Sequence, residues 1–230
     1  MTNPIIVAID TADRDSALAL AGTVAGSVGA FKVGLGLLHG PGPGLIADLR
    51  DLGRPVFADA KLHDIPSQVE RAARALGAAG ARWLTAHVAG GSAMMEAAVA
   101  GLAAGSGGTG GVLGVSVLTS LDGAALAEIG IGESPEELVS HMARVAEESG
   151  AEGVVCSPRE ITLVRRSAPR VAIVTPGIRP AGTAVGDQLR TATPREAMVA
   201  GATWLVVGRP ITAADDPAAA AARILAEINH

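Results

Sequence analysis

Residues 59–64, Asp-Ala-Lys-Leu-His-Asp, form the densest group of ionisable side chains in the sequence. Side chains two positions apart on a strand point to the same face, so Asp59 and Lys61 are predicted to point inward together. Lys32, on a neighbouring predicted strand, is expected to approach Asp59 and extend the pair into an alternating acid and base array. Nearby carboxylates favour a charged ammonium group. These residues therefore predict a rigidly held proton donor, rather than a lysine nucleophile, which needs a neutral amine.

The elements that position these residues are short β-branched runs that alternate with longer segments of helical character, a pattern typical of βα units around a parallel sheet. Eight such units in 230 residues leave about 29 residues for each, enough for a minimal barrel. We predict an α/β fold, a single-domain (β/α)8 TIM barrel over residues 1–230, with an open doubly wound sheet as the alternative. The predicted strands are 5–10, 31–34, 55–61, 83–88, 112–118, 153–157, 171–175 and 204–209.

Two segments between the predicted strands contain motifs that predict local structure. Ser-Pro-Glu-Glu at 134–137 predicts a helix N-cap, a proline at the first helical position and acids in the first turn. The glycine run 105–111 satisfies G-x-G-x-x-G, but it follows a predicted helix and leads into the fifth strand. We therefore interpret it as a flexible connector and not as a dinucleotide-binding loop.

The ends of the last two strands predict a phosphate site. Barrel enzymes bind phosphate with the loops that follow strands seven and eight, through glycine N–H groups and arginine side chains. Thr-Pro-Gly-Ile-Arg at 175–179 follows the seventh strand, and Gly208 and Arg209 end the eighth. A phosphomonoester ligand follows as a hypothesis.

Composition argues against several classes of protein. A net charge of −5 and only 2% aromatic residues make nucleic acid and anionic membranes poor partners. The single cysteine, Cys156, excludes an intrachain disulfide and suits a reducing compartment. No targeting segment is visible and no run approaches the roughly 20 apolar residues of a membrane span. We expect a cytoplasmic protein with a small anionic ligand, no nucleic-acid partner and no membrane partner.

Residues 57–66, Phe-Ala-Asp-Ala-Lys-Leu-His-Asp-Ile-Pro, resemble the D-x-K-x-x-D motif of the orotidine 5′-monophosphate decarboxylase family. Related sugar-phosphate decarboxylases and hexulose-phosphate synthases share that motif. His-Asp-Ile-Pro at 63–66, Leu-Thr-Ser at 118–120 and Pro-Gly-Ile-Arg at 176–179 are similar to the orotidylate branch alone. The resemblance runs through the whole chain, and its other segments are 8–10, 31–34, 87–91, 94–97, 155–157, 187–188 and 207–209.

This resemblance implies decarboxylation of orotidine 5′-monophosphate to uridine 5′-monophosphate, the final step of de novo UMP synthesis, without a cofactor or a metal. Lys61 is then the proton donor to C6 of the pyrimidine, Asp59 lies beside the departing carboxylate, and Lys32 links Asp59 to the ribose. The other substrate-binding residues that it implies are Asp10 at the ribose, Thr119 and Ser120 at the pyrimidine edge, and Arg179, Gln188, Gly208 and Arg209 at the phosphate, with Gln188 also reaching the ring.

Asp64 lies beyond the predicted end of its strand and need not point into its own barrel. In the family the matching aspartate reaches the site of the partner subunit, so the resemblance implies a homodimer with shared catalytic residues. Gln68 stands where the family often has threonine, and its amide can replace a hydroxyl as a hydrogen-bonding group. We therefore expect Asp64 among the catalytic residues and Gln68 among those that bind substrate.

Two other functions remain as alternatives. One is a Mg²⁺-dependent decarboxylase or aldolase of a 3-keto sugar phosphate on the same barrel, which would bind its metal through carboxylates. The other is a barrel that binds a nucleotide without turning it over. Such a binding protein is expected to lack a member of the Asp59, Lys61 and Asp64 set, and all three are present.

Overall fold

The barrel is seen in a computed structural model that describes residues 3–180 and 191–229. Within these ranges eight parallel strands pair in chain order, and the last pairs with the first. The strands are β1 (Ile5–Ile9), β2 (Ala30–Val33), β3 (Val56–Leu62), β4 (Ala81–His87), β5 (Gly111–Val115), β6 (Gly153–Val155), β7 (Ala172–Thr175) and β8 (Trp204–Val207). The predicted (β/α)8 barrel is confirmed. The open doubly wound sheet is wrong, because β1 and β8 pair directly and close the sheet.

Helices follow the strands. They are α1 (Arg14–Val24), α2 (Leu35–His39), α3 (Gly44–Arg50), α4 (Pro66–Ala78), α5 (Ser92–Ser106), α6 (Gly123–Glu128), α7 (Pro135–Glu148), α8 (Ile161–Ser167), α9 (Pro194–Ala200), α10 (Arg209–Thr212) and α11 (Pro217–Asn229). Short 3₁₀ turns at Val88–Gly90 and Pro158–Glu160 precede α5 and α8. Across the described ranges, no helix combines the length and hydropathy needed to cross a membrane.

Alternation along the strands divides the apolar side chains between two cores. In β1, Ile5, Val7 and Ile9 belong to the larger core between the strands and the helices, whereas Ile6 and Ala8 belong to a smaller core inside the barrel. The buried members of the inner core are Ile6, Ala8, Ala30, Phe57, Trp83, Leu113, Val174 and Val206. The interior of the barrel is therefore packed with side chains, as in other barrels of this architecture.

The amino-terminal end of the barrel is filled by two tryptophans and an ion pair. The rings of Trp83 and Trp204, near the starts of β4 and β8, have centroids 4.8 Å apart. Glu152, just before β6, accepts two hydrogen bonds from Arg82 at 2.7 and 2.8 Å and one from Trp83 Nε1 at 3.0 Å. These contacts pair the polar side-chain groups of Arg82, Trp83 and Glu152 with one another.

The helix start predicted at 134–137 is confirmed as a capping box at the beginning of α7. Ser134 Oγ accepts a hydrogen bond from the Glu137 N–H, and the Glu137 carboxylate accepts one from the Ser134 N–H. β5 and β6 both end earlier than predicted. Residues 116–118 and 156–157 therefore belong to the rim of the barrel and not to its strands.

The glycine run connects α5 to β5 as predicted, but the predicted start of the connector at residue 105 is wrong, because the helix continues to Ser106. Gly105 lies in the last turn of α5, and the left-handed helix C-cap is at Gly107, with a φ of 64°. Gly101 and Gly105 face the backbone of α4, where a Cβ would collide with the carbonyl oxygens of Glu70 and Arg74 respectively. The two helices approach so closely because these positions lack side chains.

Replacing Gly101 with alanine tests this close approach. We expect Gly101→Ala to lower the free energy of unfolding by about 1–3 kcal/mol, because overpacking forces the two backbones apart. Gly22→Ala in α1, where nothing lies within 4 Å of the new Cβ, is the matched control and is expected to add about 0.5–1 kcal/mol. Urea unfolding of both variants measures the difference, and a Gly101→Ala variant as stable as Gly22→Ala would contradict it.

Candidate active site

A cavity of about 540 Å³ opens at the carboxyl ends of the strands, within the size range of small-molecule sites. Its walls divide into two kinds of side chain. The apolar lining includes Ala8, Phe57, Val115, Val117, Leu118, Val155, Cys156, Pro176 and Val206, and the polar lining includes Asp10, Lys32, Asp59, Lys61, Thr119, Arg179 and Arg209. Aliphatic walls with several convergent charged groups suit a ligand that is itself both apolar and charged.

Four of the polar side chains form an alternating charge array. The sequence predicts three of its members, Lys32, Asp59 and Lys61, and the structure adds Asp10. Lys32 Nζ lies 3.5 Å from Asp10 Oδ1 and 3.5 Å from Asp59 Oδ2. Lys61 Nζ lies 2.5 Å from Asp59 Oδ1. The order Asp10, Lys32, Asp59 and Lys61 places each charge beside an opposite one. The side chain of Asp10 is 64% exposed, whereas those of Lys32 and Asp59 are only 11% and 15% exposed.

Asp59 is held in its charged form at the centre of this array. Burial by itself raises the pKa of the carboxyl group, but the charges of Lys32 and Lys61 act in the opposite direction. Hydrogen bonds from Lys61 and Thr85 lower the pKa further. The net result is a pKa below the ordinary value of aspartate, so the carboxylate is ionised at neutral pH.

Asp59 and Lys61 come together through a bulge, and not through the regular strand alternation that was predicted. β3 pairs with β4 at Ala58 and again at Leu62, with a register shift between them. Lys61 has a φ of 50°, and it is the one non-glycine residue with positive φ in the described part of the chain. Such a conformation is uncommon for a side chain other than glycine, asparagine or aspartate. The pair is therefore set by an irregular stretch of backbone.

Two other titratable groups near the cavity are held neutral. Burial lowers the pKa of His87, and the nearby His63 and the charge of Lys61 lower it further. Burial also raises the pKa of Cys156 strongly, with Glu160 adding to the effect. A buried thiol with a raised pKa is a poor nucleophile.

The phosphate-binding residues that the sequence predicts lie on the loops after β7 and β8. Gly177 has a φ of 79°, and the loop after it is fixed where the Arg179 N–H donates to the Ala192 carbonyl at 2.9 Å. Gly208 and Arg209 follow β8 and begin α10. The side chains of Arg179 and Arg209 line the same cavity as the charge array, so a phosphate and a reacting group can be held at once.

A family model described as "Orotidine 5'-phosphate decarboxylase / HUMPS family" matches residues 3–224. The chain belongs to this family. The segments that carried the resemblance include those that supply Asp10, Lys32, Asp59 and Lys61 to the charge array.

Individual relatives of the family cover nearly the whole chain. It is 52% identical to an orotidine 5′-phosphate decarboxylase from Anaeromyxobacter sp. (strain K), over 96% of each chain. It is 48% identical to one from Moorella thermoacetica, over 97% of this chain and 91% of the relative. The crystal structure of orotidine 5′-phosphate decarboxylase from Lactobacillus acidophilus superposes with a TM-score of 0.88 at 36% identity, covering 99% of this chain and 100% of that one.

Three of the residues proposed from the orotidine 5′-phosphate decarboxylase family lie outside the cavity lining. Asp64 and Gln68 are exposed on the rim after β3, where Asp64 Oδ1 accepts the Ile65 N–H at 2.6 Å. Ser120 is exposed after β5, although its neighbour Thr119 lines the cavity. Gln188 lies outside the described residues. One chain therefore supplies eight of the predicted site residues to its own cavity, namely Asp10, Lys32, Asp59, Lys61, Thr119, Arg179, Gly208 and Arg209.

Sequence reasoning missed Thr85, which is fully buried in β4 and donates a hydrogen bond to Asp59 Oδ1 at 2.9 Å. The only sequence signal was a single hydroxyl among the apolar residues 83–86 of β4. The individual residues of the apolar wall were also not named, because they come from six different strands or strand ends.

The basic residues are distributed unevenly between the site and the rest of the chain. Lys32 and Lys61 are the only lysines in the sequence, and the other 16 of its 18 Lys and Arg residues are arginine.

Residues 3–180 and 191–229 contain no group of three or more His, Cys, Asp or Glu side chains placed to hold a metal ion.

The low pKa of Asp59 predicts a pH-dependent contribution to stability. A lowered folded-state pKa stabilises the protein above the unfolded pKa of about 3.9, and the contribution is lost as pH falls through the folded pKa. We expect Asp59→Asn to lower the free energy of unfolding at pH 7, with a difference from the unchanged protein that shrinks below about pH 4.

Urea unfolding at pH 7, 5, 4 and 3 measures that difference. Asp48→Asn is the control, because Asp48 forms an ion pair with Arg14 at the surface and is expected to contribute less than about 1 kcal/mol. A difference for Asp59→Asn that stays constant over the acidic range would contradict the assignment.

Proposed function

We propose that this chain catalyses the decarboxylation of orotidine 5′-monophosphate to uridine 5′-monophosphate, the final step of de novo UMP synthesis, without a cofactor or a metal ion. The observation that carries the proposal is the array of Asp10, Lys32, Asp59 and Lys61, which meets two arginines in one cavity. The array offers a charged proton donor, and the arginines offer a site for a phosphate dianion.

The substrate is expected to lie across the cavity with its phosphate at Arg179, Arg209 and the backbone N–H groups near Gly208. Arginine side chains bind phosphate oxygens in a bidentate manner, and Gln188 is proposed to join them. The ribose then lies near Asp10 and Lys32, and the pyrimidine near Thr119 and Ser120. In this orientation C6 of the ring faces Lys61.

The reaction breaks the bond between C6 and the carboxylate carbon, and the electron pair stays on C6 while CO2 leaves. The Lys61 ammonium stabilises the negative charge that develops at C6. Such stabilisation is strongest in a site whose charged groups are already in place before the reaction. Lys61 then transfers a proton to C6, and its amine regains one from solvent. Asp59 keeps the ammonium in place and lies beside the departing carboxylate.

We further propose a homodimer in which Asp64 and Gln68 complete the cavity of the partner subunit. Both residues are exposed on the rim and neither lines the cavity of its own chain. Ile65 between them is a large apolar side chain that is 61% exposed, as expected at the centre of an interface. A second copy of the chain would bury Ile65 and receive the carboxylate of Asp64.

The proposed enzyme acts in the cytoplasm on a free nucleotide. Its net charge of −5 disfavours nucleic acid and anionic membranes as partners. Its one cysteine, Cys156, is a free buried thiol, which suits a reducing compartment.

The activity is tested by the loss of ultraviolet absorbance of orotidine 5′-monophosphate with a metal chelator present throughout. We expect rapid turnover by the unchanged protein. Lys61→Ala is expected to lose roughly 10²–10⁴-fold or more in kcat, because the general acid is gone, while calorimetry still detects uridine 5′-monophosphate binding. Arg223→Ala, an exposed position on α11, is the control and is expected to leave turnover unchanged.

Two results would overturn different parts of the proposal. Near-normal turnover by Lys61→Ala would refute the role of Lys61 as the proton donor and leave the activity standing. No turnover with chelator, followed by activity on a 3-keto sugar phosphate once Mg²⁺ is added, would refute the activity itself. That second result would assign the chain to the metal-dependent alternative.

The shared site is tested by mixing two inactive variants. Lys61→Ala and Asp64→Ala are each expected to be inactive, because each removes one residue from every site. In a heterodimer one of the two sites combines Lys61 from one subunit with Asp64 from the other. Random exchange of subunits in an equimolar mixture is therefore expected to restore about a quarter of the unchanged activity. A mixture no more active than the sum of its parts would refute sharing.

A further inference from the structure

Thr85 occupies a position between the two reactive residues of the site without lining the cavity itself. Its side chain is fully buried in β4. Thr85 Oγ1 accepts a hydrogen bond from the Lys61 backbone N–H at 2.9 Å and donates one to Asp59 Oδ1 at 2.9 Å. A hydroxyl group has one hydrogen to donate and lone pairs to accept, so this single group serves both partners at once.

The backbone around Lys61 explains why such a group is needed. The β3–β4 ladder pairs Ala58 with Leu84 and Leu62 with Ala86. Three residues of β3, 59–61, therefore face Thr85 alone on β4. At this bulge the Lys61 N–H donates a hydrogen bond to the Thr85 hydroxyl of β4. A buried N–H group without a partner is costly, and the hydroxyl removes that cost.

The same hydrogen bond holds Lys61 in an unfavourable conformation. With a φ of 50°, the residue lies in the left-handed region, where such strain persists only when surrounding contacts enforce it. Strained residues of this kind occur at functional sites, where the backbone determines the direction of a side chain. Here the strain turns the Lys61 side chain back toward Asp59.

We propose that Thr85 is a positioning residue of the decarboxylation reaction. Its hydroxyl fixes the Asp59 carboxylate and the Lys61 backbone relative to each other, so that the ammonium group is aimed at the reacting carbon. The inference rests on the proposed function, since it assigns a role within that reaction. Thr85 touches neither the phosphate end of the cavity nor the ribose end, and it acts only through Asp59 and Lys61.

Loss of the Thr85 hydroxyl is expected to change the direction of the Lys61 ammonium group without removing the charged groups of the site. Lys32 and Lys61 would still pair with the Asp59 carboxylate, so the charge array would remain. The Lys61 N–H would lose its acceptor and the strained backbone would be free to relax. Displacement of a catalytic group by about 1 Å costs as much as roughly 10²-fold in rate, whereas binding energy from the distant phosphate is unaffected.

Replacement of Thr85 by valine and by serine tests this role. Valine matches the shape of threonine and has no hydroxyl, whereas serine keeps the hydroxyl and lacks the methyl group. We expect Thr85→Val to lower kcat by about 10- to 100-fold, with KM for orotidine 5′-monophosphate and Kd for uridine 5′-monophosphate within about threefold of the unchanged protein. Thr85→Ser is expected to recover kcat to within about threefold.

Circular dichroism and thermal unfolding establish that each variant is folded. If Thr85→Val does not fold, Thr85→Ala supplies the same comparison with serine, because it also removes the hydroxyl and places no γ-methyl group against the charged pair. A kcat for the folded variant equal to that of the unchanged protein would overturn the proposal. So would a parallel loss of kcat and of uridine 5′-monophosphate binding, which indicates general damage, or a failure of serine to restore kcat.

These outcomes are separate from a failure of the proposed function. An unchanged protein that does not decarboxylate orotidine 5′-monophosphate refutes the function itself, and with it the role of Thr85. An active unchanged protein with a fully active Thr85→Val refutes the positioning role alone.

Discussion

The carboxylate of Asp59 lies between the ammonium groups of Lys32 and Lys61. The geometry of the site depends on this arrangement. Buried charges are tolerated only when they are paired, and here each pairing depends on the next, from Asp10 through Lys32 and Asp59 to Lys61. The surrounding backbone is adapted to the array. A Cβ at Gly34 would lie 3.3 Å from Lys32 Nζ and 3.4 Å from Asp10 Oδ1, so a side chain at that position would press on the ion pairs.

The barrel supports this concentration of charge by keeping its two ends chemically different. At the amino-terminal end, Trp83 and Trp204 pack against each other, and Arg82 and Glu152 form a bidentate ion pair. At the carboxyl-terminal end the strands finish in ionisable residues around open space. The same strands thus supply rigidity at one end and reactive groups at the other, which separates the requirements of folding from those of catalysis.

The sequence predicts those features that follow from periodicity and residue type, and fails where the backbone departs from regularity. Strand number, barrel closure and the capping box at Ser134 follow from local patterns that the fold preserves. The approach of Asp59 to Lys61 was predicted for the wrong reason, because a register shift and a positive φ cannot be seen in residue types. Gly105 was misassigned because only the contact of two helices reveals why that position lacks a side chain. Thr85 was missed for the same kind of reason, since its role depends on the bulge.

The restriction of lysine to positions 32 and 61 makes the active centre chemically distinct from the whole remaining surface. Apart from the α-amino group, an acylating or cross-linking reagent for primary amines finds its targets only on two adjacent strands of the barrel. A lysine-specific protease likewise has two cleavage points, both within strands, and reaches them only when the barrel opens. Susceptibility to such a protease would therefore report on opening of the barrel, and protection of the two amines by a bound nucleotide would report on occupancy of the site.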